Sequence, residues 1–272
     1  MKSSDDAVTL NGQGAVQFIS FSQISNALRS LFDVDMPAGL RCLAILNGDA
    51  TGCILTDDPV QPSYAIVQEL ADGTTYIGGS VTASILSQAV HTLRQDHDVV
   101  IGWWPDDPRL CLLPAHPDYE GAAIDFTHRP LDDDLSRFRQ IPDGCHLQPV
   151  DHALFQRLAG HDWTVAMFGD AEMALAKGLG YCLMQDDTIV SEAFAGPCAN
   201  GLIEIGAGTP EPYRGRGYAT LTCAHLIRAC EARGYQTFWN TAQQNEASKA
   251  LARKLGYRTE KVFRVVAWSK SG

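Results

Sequence analysis

Residues 203–219 read Ile-Glu-Ile-Gly-Ala-Gly-Thr-Pro-Glu-Pro-Tyr-Arg-Gly-Arg-Gly-Tyr-Ala. The run begins as a strand, turns through Pro210 and Pro212, and enters a helix at Arg214-Gly215-Arg216-Gly217. Glycines carry no Cβ, so a ligand can approach the backbone closely. A helix start offers unpaired N–H groups at the positive end of the dipole. Arg214 and Arg216 add fixed charge and forked donors suited to phosphate oxygens. Such a combination is an anion site, most naturally for a pyrophosphate. A ligand-free turn between a strand and a helix would use the same glycines. The two arginines and the well-formed helix behind them favour phosphate.

The elements that must hold this turn follow from periodicity and punctuation. His146 to Val150 reads as an edge strand, followed by helices near 151–160 and 170–177 with Trp163 between them. Tyr181–Met184 and Thr188–Phe194 form a hairpin over Asp186-Asp187. The helix after the glycines runs to about Arg233, with Ala219, Cys223, Leu226, Ile227 and Cys230 on its buried face and Gly234 as its stop. Thr237–Trp239 is then a strand, parallel to the one before the turn if the crossover is right-handed. Asn245 caps a short helix ended by Gly256, and 257–268 supply the last strand or strands.

The first half shows a similar order. Residues 16–32 have apolar residues near helical spacing. Arg41–Leu46 and Gly52–Thr56 flank Asn47-Gly48-Asp49, a hairpin signal. Strands at Tyr64–Leu70 and Thr74–Gly78, a helix over 82–95, and strands at Val99–Trp104 and Ala122–Phe126 follow. Tyr76-Ile77-Gly78-Gly79 stands where the phosphate-type turn stands in the second half, without its arginines. This is the pattern of a duplication whose first copy has lost, or never had, a ligand; convergence of two α+β patterns is the alternative. The polar stretch 131–144, closed by Ile141-Pro142-Asp143-Gly144, marks the boundary. The expected fold class is α+β, with domains at 1–145 and 146–272.

Charge separates these halves. Residues 1–145 hold 8 lysines and arginines against 20 acids, and 146–272 hold 13 against 12. The acidic half would attract an amine-bearing partner or simply keep the protein soluble. Nothing basic is concentrated enough to argue for nucleic acid. Met1–Asp6 contains no apolar leader, and no run is long enough for a membrane span. The eight cysteines form no CxxC pair and read as reduced, mostly buried thiols of a cytoplasmic protein. The histidines show no metal-ligand spacing, so no metal is expected.

Arg214-Gly215-Arg216-Gly217-Tyr218-Ala219 resembles the Arg/Gln-x-x-Gly-x-Gly/Ala signature of the GNAT N-acetyltransferase superfamily. Asn245-Glu246-Ala247-Ser248, followed by Leu251-Ala252-Arg253-Lys254-Leu255-Gly256-Tyr257, is similar to that family's second signature. With Val190–Ala193, Ile203–Gly206 and Lys254–Tyr257, the pattern further resembles one subfamily whose name-giving members confer resistance to the aminopolyol antibiotic zwittermicin A. The clear match covers about 146–268.

The resemblance implies a mixed central sheet flanked by helices, acetyl-CoA as donor, and acetyl transfer to an amine of a small molecule by direct attack in a ternary complex. Backbone amides of Arg214, Gly215, Arg216, Gly217, Tyr218 and Ala219 would hold the pyrophosphate. Ala207 and Thr209 would pair with the pantetheine arm, Thr209 N–H would polarise the thioester carbonyl, and Asn245 and Ser248 would contact the donor. Glu204 is the implied base and Glu192 the amine-binding carboxylate or its substitute. Ala252 departs from the family, since many members carry a tyrosine acid there; Tyr257, Tyr218, Ser248 or a water would then protonate the thiolate. Two other readings follow from this chain's own residues: a CoA-binding module without turnover, given Ala252, and a protein-binding domain using the acidic half. Neither the acceptor nor the oligomeric state follows from the sequence.

Overall fold

Apolar alternation and glycine punctuation build twelve strands and eight α-helices among the described residues, which in this computed structural model are 16–127, 129–131 and 134–271. The segment Met1–Asp6, read above for a leader, lies outside them. The first half runs β1 (Gln17–Ile19), α1 (Asn26–Arg29), α2 (Gly39–Leu46), β2 (Gly52–Thr56), β3 (Tyr64–Glu69), β4 (Thr74–Gly79), α3 (Ala83–Leu93), β5 (Val99–Trp103) and β6 (Tyr119–Phe126). The second runs β7 (Cys145–Pro149), α4 (His152–Phe155), α5 (His161–Phe168), α6 (Ala171–Lys177), β8 (Leu179–Gln185), β9 (Thr188–Ala199) and β10 (Leu202–Gly208). It continues with α7 (Tyr218–Glu231), β11 (Gln236–Ala242), α8 (Glu246–Lys254) and β12 (Glu260–Trp268).

All strands join one mixed sheet in the order β1-β2-β3-β4-β5-β12-β6-β11-β10-β9-β8-β7. Among the described residues only β4 with β5 and β10 with β11 are parallel, and each parallel pair needs a helical crossover, supplied by α3 and α7. The order has an internal symmetry. β12, from the second half, inserts between β5 and β6 of the first. β6 in turn lies between β12 and β11. Each half therefore completes the other's sheet.

The packing crosses residue 145 as well. One core joins Leu28, Ile45, Leu46 and Val67 to Leu154, Phe155, Met167 and Met184. A second gathers Cys223, Leu226, Ile227 and Cys230 of α7 against Ile203, Ile205, Trp239 and Tyr257. Each fully buried large apolar side chain contributes about 1.5–3 kcal/mol. Helix α2 lies over β9 and β10, which brings the first half onto the second half's sheet face. No described helix is long and apolar enough to cross a membrane.

Three local expectations fail. Over 16–32, only Asn26–Arg29 is α-helical, and Gln17–Ile19 is a strand. The serines win there: Ser20 forms a capping box with Gln23, and Ser25 Oγ accepts from Leu28 N at 3.1 Å, so the chain restarts twice. Arg41–Leu46 belongs to α2, not to a hairpin strand. Six of the eight residues of α2 are buried, and so short an apolar run does not tell helix from strand. Asn47 and Gly48 end this helix, Gly48 with φ +77°, instead of turning a hairpin. The helix expected near 151–160 stops at Phe155, and Trp163 lies within α5 instead of between helices.

Candidate active site

The glycine turn joins β10 to α7. Gly215 and Gly217 have φ +76° and +82°, and a Cβ at either would meet nothing within 4 Å. These glycines therefore serve conformation and access, not packing. Gly217 occupies the cap position of α7, and no side chain caps that helix start. The arginines brace the turn. Arg214 Nε donates to Thr209 O at 3.0 Å, and Arg216 Nη2 donates to Pro212 O at 3.2 Å with its guanidinium over the Tyr213 ring. The turn opens on a cavity of about 720 Å³ lined by Thr209, Arg214, Gly215, Gly217, Tyr218 and Ala219, with Asn245 and Ser248 of α8 across from them. Arg216 lies outside that lining.

Strands β10 and β11 pair only at Leu202–Glu204 with Gln236–Phe238. Beyond Glu204, β10 continues along β9, while β11 turns to β6. A second cavity, of about 470 Å³, opens from this splay and is lined by Arg41, Trp163, Glu192, Phe194, Glu204 and Asn240. Ala207, Gly208, Trp239 and Ser248 line both cavities, so the two meet across the splayed strands.

Glu204 stands at the apex of the splay, 6% exposed. Both its oxygens accept from Arg41, from Nε and from Nη2, each at 2.7 Å. Arg41 comes from α2 in the first half, and its guanidinium also lies over the Trp163 ring at 5.1 Å. Its remaining nitrogen, Nη1, meets Asp72 at 3.1 Å and Glu69 at 3.7 Å. Glu69 is fully buried, and burial pushes its carboxyl up to about 8 despite the nearby guanidinium. Burial also pushes Asp125 on β6 up to about 6, although it accepts from Ala38 N and, at 2.7 Å, from Asn240 Nδ2. Glu192 is held differently: it accepts from Ala159 N at 3.0 Å and Gly160 N at 3.2 Å. No cation sits on it among the described residues.

The α8 residues already have partners. Asn245 Oδ1 caps α8 by accepting from Ser248 N at 3.1 Å, and Ser248 Oγ accepts from Trp239 Nε1 at 3.0 Å. Ser191 Oγ and Thr209 Oγ1 lie 2.9 Å apart and tie the end of β10 to β9. Ala252 is wholly inside the core. Tyr257 cannot reach either cavity: it is 2% exposed and its hydroxyl donates to Thr237 Oγ1 at 2.7 Å. Burial also drives its pKa up, away from any use as an acid. Tyr218 and Ser248, unlike Tyr257, line the larger cavity.

The expected donor-side residues thus gather around one cavity, Arg216 excepted, and Glu192 and Glu204 around the other. Sequence reasoning missed Arg41, Trp163, Asn240 and Asp125. Arg41 lay in a run read as a strand, and only tertiary packing brings it to Glu204.

A family model described as GNAT acetyltransferase matches residues 119–266, from the first residue of β6 into β12. The uncharacterized N-acetyltransferase YdfB of Bacillus subtilis (strain 168) is 23% identical over 256 residues, 86% of this chain and 92% of that protein. A GCN5-related N-acetyltransferase-like protein from Streptococcus suis 89/1591 has a similar fold, with a TM-score of 0.64 at 23% identity over 80% of this chain and 88% of its own. A tandem GNAT protein from the clavulanic acid biosynthesis pathway aligns over 93% of this chain and 94% of its own, with a TM-score of 0.57 at 12% identity.

Proposed function

Because this chain belongs to the GNAT acetyltransferase family, we propose that it transfers the acetyl group of acetyl-CoA to an amine of a small molecule, an antibiotic or a metabolite, by direct attack in a ternary complex. The observation that carries this reading is the meeting of two cavities at the β10–β11 splay, one on a glycine-rich helix start and the other lined by carboxylates. The first is where a donor with a pyrophosphate fits. Backbone amides of Arg214 to Ala219 bind the pyrophosphate, and the free edge of β10 at Ala207 and Thr209 pairs with the pantetheine arm. Thr209 N–H polarises the thioester carbonyl. Asn245 and Ser248 line the far wall.

The acceptor enters the second cavity. Its ammonium loses a proton before attack, and Glu204 takes it through a water, on lone pairs that Arg41 leaves free. Glu192 binds amine. A thiol pKa near 8.5 makes the CoA thiolate a workable leaving group, so Ala252 is compatible with turnover. Residues 1–145 are the part that covers the acceptor side, through Arg41 and α2, and residues 146–272 carry the donor site. The likeness to zwittermicin A resistance-type members supports an amine-rich small acceptor.

Incubation with acetyl-CoA and an amine panel, following free thiol, tests the reaction. Glu204→Gln lowers kcat by about a hundredfold or more while the acetyl-CoA Kd stays unchanged. Unchanged turnover in that variant rules out the base assignment. Binding of CoA without thiol release from any amine points instead to a binding module.

A further inference from the structure

The acceptor cavity has a one-sided charge. Arg41 is the one basic side chain among the described residues that line it. That guanidinium is already committed: Glu204 takes Nε and Nη2, while Nη1 faces Asp72 and Glu69. Its flat face is covered by Trp163. It has no edge left to grip a carboxylate or phosphate of an acceptor. The acids that line the cavity with it are Glu204, which that guanidinium pairs, and Glu192, which has no cation on it among the described residues. Glu69 is held protonated at neutral pH by burial and adds no charge there.

The carboxylates are also spread along a line. Glu192 pairs with Gly208 in the β9–β10 ladder, and Phe194 pairs with Gly206. Gly196 lies beside Glu204. Side chains two apart share a face, so Glu192 and Phe194 form one strip with Gly208 and Gly206 beside it, and past the register shift between Ile203 and Ile205 the strip ends where Gly196 lies against Glu204. Glu204 and Gly208 are four residues apart, about 13 Å at about 3.3 Å per residue. The strip is thus a slot with a carboxylate at each end and glycine clearance between them. Phe194 forms its floor, and Trp163 and Trp239 also line it. Aromatic faces suit a methylene chain and the cations at its ends.

Resting on the amine-acceptor reading above, we propose that the acceptor is a linear dication. The reacting amine sits at the Glu204 end, beside the splay, and the second ammonium is held by Glu192. Acceptors bearing a carboxylate or phosphate are excluded, because the cavity's cation is spent on Glu204. In a partly closed slot, an uncompensated carboxylate is worth about tenfold in affinity for that second ammonium.

The test uses the full chain with acetyl-CoA and linear diamines from propane to decane. Each diamine is run beside the monoamine and the ω-amino acid of equal length, with thiol release giving kcat/KM. The long diamines exceed their monoamines by about tenfold, and the ω-amino acids fall below the monoamines. The diamine advantage shrinks as salt rises, because exposed charges are screened. In Glu192→Gln the diamine-to-monoamine ratio falls towards one, with the melting temperature reporting that the variant is folded. If that variant does not fold, the wild-type ranking still decides. An ω-amino acid equal to or better than its monoamine overturns the proposal, as does a diamine no better than its monoamine. In either case the amine-acetyltransferase reading survives. Absence of thiol release from every amine overturns both.

Discussion

The crossovers β4–α3–β5 and β10–α7–β11 are one device used twice, and the second opens on the cavity of about 720 Å³. Both begin with a parallel pair that separates early: Thr74–Thr75 with Val100–Ile101 in one, Leu202–Glu204 with Gln236–Phe238 in the other. In the first, the opening is filled. Arg109, held by Asp107 at 2.7 Å, donates from Nη1 to Ile77 O at 3.0 Å and lies over the Trp103 ring. The side chain supplies the hydrogen bond that a neighbouring strand, or an inserted ligand, would make. The helix start is closed as well, since Thr82 Oγ1 accepts from Ile85 N at 3.3 Å. In the second crossover the helix start is uncapped by any side chain and the gap is open to both cavities. Strand, glycine and helix are therefore not enough for an anion site. The second differs in a helix start that no side chain caps, which on the reading proposed above is what suits it to an anion.

The largest test of that contrast exchanges one methyl group at equivalent turns. Gly79 and Gly217 both have positive φ, +75° and +82°. At Gly217 a Cβ meets nothing of the protein, so Gly217→Ala adds backbone strain of roughly 1–2 kcal/mol and obstructs the ligand's approach. Titration calorimetry is expected to show acetyl-CoA affinity weakened by about tenfold to a hundredfold. At Gly79 a Cβ would stand 2.4 Å from Ser63 O, so Gly79→Ala disrupts packing. It lowers stability by roughly 2–4 kcal/mol in denaturant melts and leaves donor affinity intact. Equal loss of donor affinity in both variants would erase the distinction between the two turns.

A smaller effect is expected where the first opening is plugged. Arg109→Ala removes the bond to Ile77 O and the pair with Asp107, both partly buried, and costs roughly 1–3 kcal/mol of stability. Turnover per folded molecule stays at the wild-type value, because Arg109 lines neither of the two cavities. Arg109→Met keeps the stem over Trp103 and recovers part of the loss, separating packing from hydrogen bonding. A drop in kcat/KM with stability unchanged would instead make this opening part of the working site.

The second crossover was readable in sequence because its signals are local: a strand, two prolines, glycines in an exposed turn, and a helix with a clear buried face at Cys223, Leu226, Ile227 and Cys230. Asn245 was readable for the same reason, since a cap bonds three residues ahead. The interleaving of β6 and β12 was not, because the partners of Ile124 and Val262 lie far apart in the chain and alternation does not name a neighbour. Nor was Arg41. Its role depends on α2 being a helix, and an apolar run as short as 42–46 fits a buried strand equally well. The part of the candidate site around Glu204 was hidden where the first half folds onto the second.

The smallest effect concerns how the two halves share Arg41. Glu204, from the second half, takes two short bonds from the guanidinium. Glu69, from the first, is left at 3.7 Å, fully buried, with Oε1 accepting no hydrogen bond. Burial then outweighs attraction and raises its pKa from 4.5 to about 8. A carboxyl whose folded pKa lies above its unfolded value contributes its stability below the unfolded pKa, and that contribution is lost as pH rises through the folded one. Glu69 therefore costs stability progressively as pH rises from about 4.5 to about 8, and the cost remains above that. Glu69→Gln removes that titration, so its stability relative to wild type should improve as pH rises from about 4.5 to about 8. Melts of both proteins at acid and alkaline pH read the difference directly. Curves that stay parallel across that range would mean that Arg41 holds the carboxylates of the two halves equally ionised.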